Sequence, residues 1–183
     1  MLSFLELAKT RRSVRAYTEQ YISRQDLEKC VEAIRYSPSA CHSQPWNFVI
    51  IDDPEKKDRV AKAVSCGPGD INSFAREARA FIAIISERQT SLAWIGGKLR
   101  KADFRRMDIG IACAHLVLQA WDIGIGTCII GWFNERKLKR ILSVPFHKKV
   151  ELVIALGYPA ESERPEKQLK DLDKVISFNT YRK

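Results

Sequence analysis

The sequence predicts an α+β sandwich around a single sheet. Short apolar runs at 48–51, 81–85, 127–133 and 151–156 fit buried strands, and apolar residues at helical spacing fill the intervals. Their order is irregular and no internal repeat appears, unlike the regular alternation of a parallel α/β sheet. The 183 residues contain no linker or low-complexity tract, so 1–183 reads as one domain, burying roughly 70% of its unfolded surface.

Each element has a local reason. Ser3 with Glu6, and Ser23 with Asp26, have capping-box spacing, in which a hydroxyl and a carboxylate serve the orphan amides of a helix start. The second of these helices carries Leu27, Cys30, Val31 and Ile34 on one stripe and is halted by Pro38. Asp53 as cap and Pro54 as first helical residue open a third, with Val60, Ala61 and Val64 inside, ending before Gly67-Pro68-Gly69.

The clearest helix starts near Asp108, where Ile109, Ala112, Cys113, Leu116, Val117, Ala120 and Trp121 share a stripe, and Gly124-Ile125-Gly126 ends it. Asn134 caps a further helix with Leu138, Ile141 and Leu142 inside. Residues 86–107, with Trp94, Gly96-Gly97 and Phe104 among basic residues, read equally as a lid over a pocket or as a surface helix. Val175-Ile176-Ser177-Phe178 alternates like a strand but is too isolated to be stable unless it joins a sheet edge, which could belong to a partner subunit.

Composition narrows the class. The five cysteines are odd in number and irregularly spaced, which suggests neither a disulfide framework nor a zinc ribbon but reduced thiols in a cytoplasmic protein. No apolar stretch reaches the ~20 residues that span a bilayer, and the N-terminus is unlike a signal peptide. The +9 net charge invites a polyanion partner, but the basic residues fall in short clusters with acids nearby and no nucleic-acid motif, so solvated helix faces account for most of it.

Two stretches carry chemistry. If 11–15 is extended, alternation puts Arg11, Ser13 and Arg15 on one side, where two guanidiniums and a hydroxyl can converge on a phosphate; a basic surface turn is the plainer reading. Between Pro38 and Pro45, Ser39, His42, Ser43 and Gln44 offer donors and acceptors suited to the polar edge of a planar heterocycle, although an ordinary helix-to-strand connection has the same composition. Gly124, Gly126 and Gly131 follow a helix and precede a strand, the reverse of a dinucleotide fingerprint; they either let the backbone at Ile130 and Gly131 approach a ligand or simply cap a helix and end a strand. Cys113 and His115 face different ways on their helix and Cys41-His42 lacks a third ligand nearby, so no metal site is predicted.

Taken in order, Arg-Arg-Ser-Val-Arg at 11–15, the Pro-Ser to Asn-Phe stretch at 38–48, the helix from Asp108 to Asp122, Gly-Ile-Gly-Thr-Cys-Ile-Ile-Gly at 124–131 and Ala-Leu-Gly-Tyr-Pro at 155–159 resemble the nitroreductase family of FMN-dependent oxidoreductases over nearly the whole chain. The resemblance implies a sandwich with a mixed, mainly antiparallel sheet flanked by helices. It implies an intertwined homodimer with FMN at the subunit interface and residues from about 160 to 183 reaching onto the partner. Arg11, Arg12 and Ser13 would then hold the phosphate and ribityl chain, and Arg15 the pyrimidine end. Pro38, Ser39, Ala40, His42 and Gln44 would contact FMN from the other subunit, and the amides of Ile130 and Gly131 would face N5 and O4.

Two positions depart from the family pattern: His42 stands where Asn is common, and Leu169 where a basic residue is common, leaving Lys167 and Lys170 to supply charge to the phosphate. The activity implied is ping-pong transfer of hydride from NAD(P)H through flavin N5 to a nitroaromatic, quinone or similar small acceptor, with no protein acid or base evident. The alternatives are another flavin reaction on the same fold, such as dehalogenation, dehydrogenation or flavin reduction, and, less favoured, a basic anion-binding domain without redox chemistry.

Overall fold

A computed structural model of the chain describes residues 3–160 and 167–181. In chain order the regular elements are α1 (Phe4–Thr10), α2 (Arg24–Arg35), β1 (Trp46–Ile51), α3 (Pro54–Val64), β2 (Ala80–Ser86), α4 (Ser91–Arg100), α5 (Phe104–Asp122), β3 (Gly126–Ile130), α6 (Glu135–Leu142) and β4 (Lys149–Gly157). The strands form one sheet in the order β1-β2-β4-β3. Every named pair is antiparallel, and the mixed character expected of the sheet reduces to one parallel bridge between Ser13 and Thr127.

β2 shows why this is a three-layer sandwich. All seven of its residues are buried, because helices cover both faces. Phe81, Ala83 and Ile85 point into a core shared with α3 and α6, and Ala80, Ile82 and Ile84 into one shared with α2 and α5. A fully buried side chain such as Ile82 or Ile84 contributes about 1.5–3 kcal/mol relative to exposure.

The caps behave as their chemistry requires. Ser3 Oγ accepts from the Glu6 amide and Glu6 Oε2 accepts from the Ser3 amide at 2.8 Å, a complete box. Asp53 accepts from Lys56 N and Asn134 from Lys137 N. Ser23 differs: its hydroxyl accepts from Asp26 N and donates to Asp26 Oδ2, so the return bond goes to the side chain instead of the backbone.

Three boundaries depart from expectation. α5 begins at Phe104 instead of near Asp108, because Asp103 Oδ1 caps Arg106 N one turn earlier, behind two arginines that mask the apolar stripe. β3 ends at Ile130 and not at Phe133; the Trp132 carbonyl accepts from Asn72 Nδ2 at 3.0 Å, drawing the chain off β4. Residues 175–178 form no strand in the single chain. They follow a 3₁₀ turn, Leu172–Lys174, in which the amides of Val175 and Ile176 are both spent on Leu172 O.

The N-terminal segment is laid across the end of the sheet. Val14 N donates to Thr127 O, Thr18 N to Tyr158 O, and Ala160 N to Ala16 O, while Tyr17 OH donates to Val14 O. Gly126 and Gly157 face each other in register beneath it. A Cβ on Gly126 would stand 2.6 Å from Val14 Cγ2, so the close crossing depends on its absence.

Candidate functional site

With Val14 buried and hydrogen-bonded to β3, the residues on either side are turned outward: Ser13 and Arg15 are exposed, Arg11 and Arg12 half-buried. Arg15 is steadied by the ring of Phe74, whose centroid is 5.8 Å from Cζ. Lys167 joins Arg11 and Arg12, its ammonium fixed by donation to Ala8 O at the last turn of α1. Burial lowers the Lys167 pKa, and the fields of Arg11 and Arg12 lower it further. The Cys128 thiol behind the segment registers the same field: burial raises its pKa while Arg15 and Arg11 pull it down.

None of these four cations forms an ion pair among the described residues. Like charges gathered with no carboxylate paired to them among the described residues suit an anion held between them. Lys170 is exposed and has no hydrogen bond or ion pair among the described residues.

The second group lies in the 37–45 loop between α2 and β1. Cys41, His42 and Gln44 all have positive φ (51°, 50° and 43°), a conformation costing non-glycine residues on the order of 1–3 kcal/mol each. Four bonds enforce it. Gln44 N donates to Ser39 Oγ at 2.9 Å, the Gln44 amide donates to His42 Nε2 at 2.9 Å, Thr90 N donates to Ser43 Oγ at 2.7 Å, and Ala40 N donates to Asp108 Oδ1 at 3.1 Å. Pro45 is buried, whereas Pro38, His42 and Gln44 face solvent and Ser39 and Ala40 are half-buried.

Asp108 is therefore the loop's anchor on α5. It is 5% exposed, its Oδ2 is buried with no hydrogen-bond partner among the described residues, and burial raises its pKa, opposed by the Ala40 amide. At the other end of α5, Trp121 Nε1 donates to Thr10 Oγ1, beside Arg11. About 20 Å of helix separates Asp108 from Trp121. One chain thus holds its basic cluster and its strained polar loop at opposite ends of α5. The third group, at the exit of β3, pairs a buried Ile130 with an exposed Gly131 at which a Cβ would find only Leu152 Cδ2, at 3.9 Å.

A model described as the nitroreductase family matches residues 8–158, which contain all three groups except Lys167. The chain belongs to the nitroreductase family. Among solved structures, an FMN-dependent nitroreductase from Clostridium difficile R20291 superposes with a TM-score of 0.76 at 27% identity, covering 97% of this chain and 100% of that one. A nitroreductase family protein from Clostridium novyi NT gives 0.73 at 26% identity, covering 91% and 89%. In sequence, the chain is 24% identical over 197 residues to iodotyrosine deiodinase 1 of Homo sapiens, covering 94% of this chain and 67% of that protein. It is 28% identical over 163 residues, 87% of each chain, to an Archaeoglobus fulgidus protein provisionally named NADH dehydrogenase/NAD(P)H nitroreductase.

Within this nitroreductase-family chain, sequence reasoning missed the parts that support the site more than those that face it. Phe74 beneath Arg15 and the tether from Asp108 to Ala40 were not anticipated. Asp108 left a signal: it sits four residues before Ala112 on the buried stripe of α5, where an unpaired acid is out of place. The family match ends before Lys167 and Lys170, so nothing in it bears on those two residues.

Proposed function

We propose that the protein is an FMN-dependent oxidoreductase that passes hydride from NAD(P)H to a small aromatic or quinonoid acceptor, working as a homodimer with two flavin sites. The observation that carries this reading is the division of the site: cations at one end of α5 and a strained, hydrogen-bonding loop at the other, complementary halves that two antiparallel copies of the helix would bring together.

The surface of α5 supports a second copy. Its buried stripe faces the sheet, yet Met107, Ile111, Ala114 and Leu118 make a second apolar stripe on the outward side, with Met107 56% and Ile111 40% exposed. A helix apolar on both faces calls for cover on both. Leu169, Leu172, Val175 and Phe178 of the C-terminal segment are also exposed, as a tail that lies on a partner would leave them in one chain. Five free thiols and no helix, among the described residues, long and apolar enough to cross a membrane suit a cytoplasmic setting.

The residues fit FMN. Bound FMN supplies a centre that accepts hydride from one substrate and delivers it to the next. Arg11, Arg12 and Lys167 hold its phosphate, with Ser13 on the ribityl chain and Lys170 as an outlying charge. Arg15, braced on Phe74, puts a fixed cation at the pyrimidine end, where negative charge gathers on reduction, and so favours the reduced state. The amides of Ile130 and Gly131 approach the reactive edge. Pro38, Ser39, Ala40, His42 and Gln44 of the second copy close the other side. A ring held there would orient both substrates by stacking, with no acid or base required of the residues around it.

The test is the visible spectrum of the purified protein, with chromatography of whatever heat releases. Released FMN, bleached by NAD(P)H without air and restored by a nitroaromatic or quinone, is the expected result. A protein that neither carries nor takes up FMN would overturn the reading. The relationship to iodotyrosine deiodinase 1 motivates a second reaction, reductive dehalogenation of a halophenol, which halide release under the same conditions would reveal.

A further inference from the structure

A cavity of about 670 Å³ opens where β2 ends at Ser86 and β4 begins at Lys149, and none of the basic cluster at Arg11 lines it. Arg88, Arg105, His147, Lys148 and Lys149 line it, with Glu87 the single lining carboxylate among the described residues. Glu87 is already engaged by Lys148, and Lys149 shares Glu151 with Arg106, at 3.7 and 3.6 Å. Arg88 and Arg105 form no ion pair among the described residues. Arg105 Nε is moreover buried without an acceptor among the described residues. Two unpaired guanidiniums in one concavity, one short of an acceptor, match the oxygens of a phosphate monoester.

The cavity is bound to the loop proposed to border the flavin. Glu87 N donates to Pro45 O at 3.0 Å and Thr90 N donates to Ser43 Oγ at 2.7 Å, so Arg88 lies between two anchor points on that loop. A phosphate in the cavity is therefore held beside that loop. We propose that the cavity receives the 2′-phosphate of NADPH and makes NADPH, not NADH, the electron donor. The inference rests on the NAD(P)H-dependent reading above. It deepens that reading by naming the donor.

The test uses the flavin-loaded protein. Calorimetric titration with 2′,5′-ADP should show binding, with 5′-AMP about tenfold weaker or more. Substituting R88Q and R105Q together should raise KM for NADPH by about tenfold or more while NADH turnover and flavin absorbance stay as they were. Because Arg105 is partly buried, K149Q, at an exposed position, serves as a second variant with a smaller shift in the same direction. Equal binding of the two nucleotides, a parental preference for NADH, or equal losses with both donors would overturn the proposal. Failure of the underlying reading shows separately, as a colourless protein; calorimetry still reads the cavity there, and absence of 2′,5′-ADP binding would overturn the phosphate site itself.

Discussion

Gly157 lies so close under the Tyr17 ring that a Cβ at 157 would stand 2.5 Å from Tyr17 Cδ1 and 2.7 Å from Cγ. The contact presses the Arg11–Tyr17 segment onto the sheet end and so sets the height at which Arg15 projects. Tyr17 cannot retreat easily, being 5% exposed and held by its hydroxyl to Val14 O. G157A should therefore cost about 1–3 kcal/mol, the usual penalty for overpacking, and lower Tm by several degrees. Thermal unfolding checks the cost, and flavin occupancy at a temperature where the variant is folded checks the displacement of Arg15.

Arg11 and Arg15 separate binding from stability. Neither has an ion pair among the described residues, and the Phe74 contact of Arg15 contributes about 0.5–1 kcal/mol. The R11A/R15A double variant should keep its Tm within a few degrees yet bind FMN about a hundredfold more weakly or worse, since charged hydrogen bonds contribute about 1.5–3 kcal/mol each. Fluorescence titration of the apoprotein with FMN measures the change, and undiminished affinity would remove both arginines from the site.

Much of this architecture is legible in sequence because its causes are local. Ser3, Asp53 and Asn134 cap helices through side chains three residues from the amides they serve, and β2 is a run apolar enough to be buried on both faces. What escapes depends on partners remote in the chain. The end of β3 is set by Asn72, 60 residues from the Trp132 carbonyl it holds. In the site, the basic pentapeptide announces itself by charge. The left-handed backbone at His42 and Gln44 does not, because neither is glycine; it is held by Asp108 and Thr90, 68 and 47 residues from their partners in the loop.

Asp108 links that loop to pH. Burial raises its carboxyl pKa above the ordinary 3.8, so the folded chain binds the proton more tightly than the unfolded one. Stability from this group is therefore gained as pH falls through the raised pKa toward 3.8, and the penalty of a buried charge is present above that raised pKa. D108N keeps an oxygen for the Ala40 amide but removes the charge. Its Tm should match that of the parent in acid and exceed it at neutral pH. D108A loses the tether as well, and should weaken flavin binding where D108N does not. Unfolding curves for the three proteins across this pH range, with FMN titrations at neutrality, distinguish charge from anchoring; parallel pH profiles for parent and D108N would mean that a group beyond the single chain compensates Asp108.

Ile111 tests whether the outward stripe of α5 is covered by a second copy. At 40% exposure it makes little of the single-chain core, and I111E places a carboxylate between Met107 and Ala114 without touching Arg11, Ser39 or Gly131. In a monomeric enzyme the new carboxylate would sit in water and cost under about 0.5 kcal/mol. In a dimer packed through α5 it would bury an unpaired charge in the contact of each copy, a desolvation cost that neither can relieve. The expected result is a folded monomer by sedimentation, with native helical content, that has lost FMN although no residue of either half-site has changed. Loss of flavin by a variant that sediments as the parent does would instead place the effect within one chain and refute the divided site.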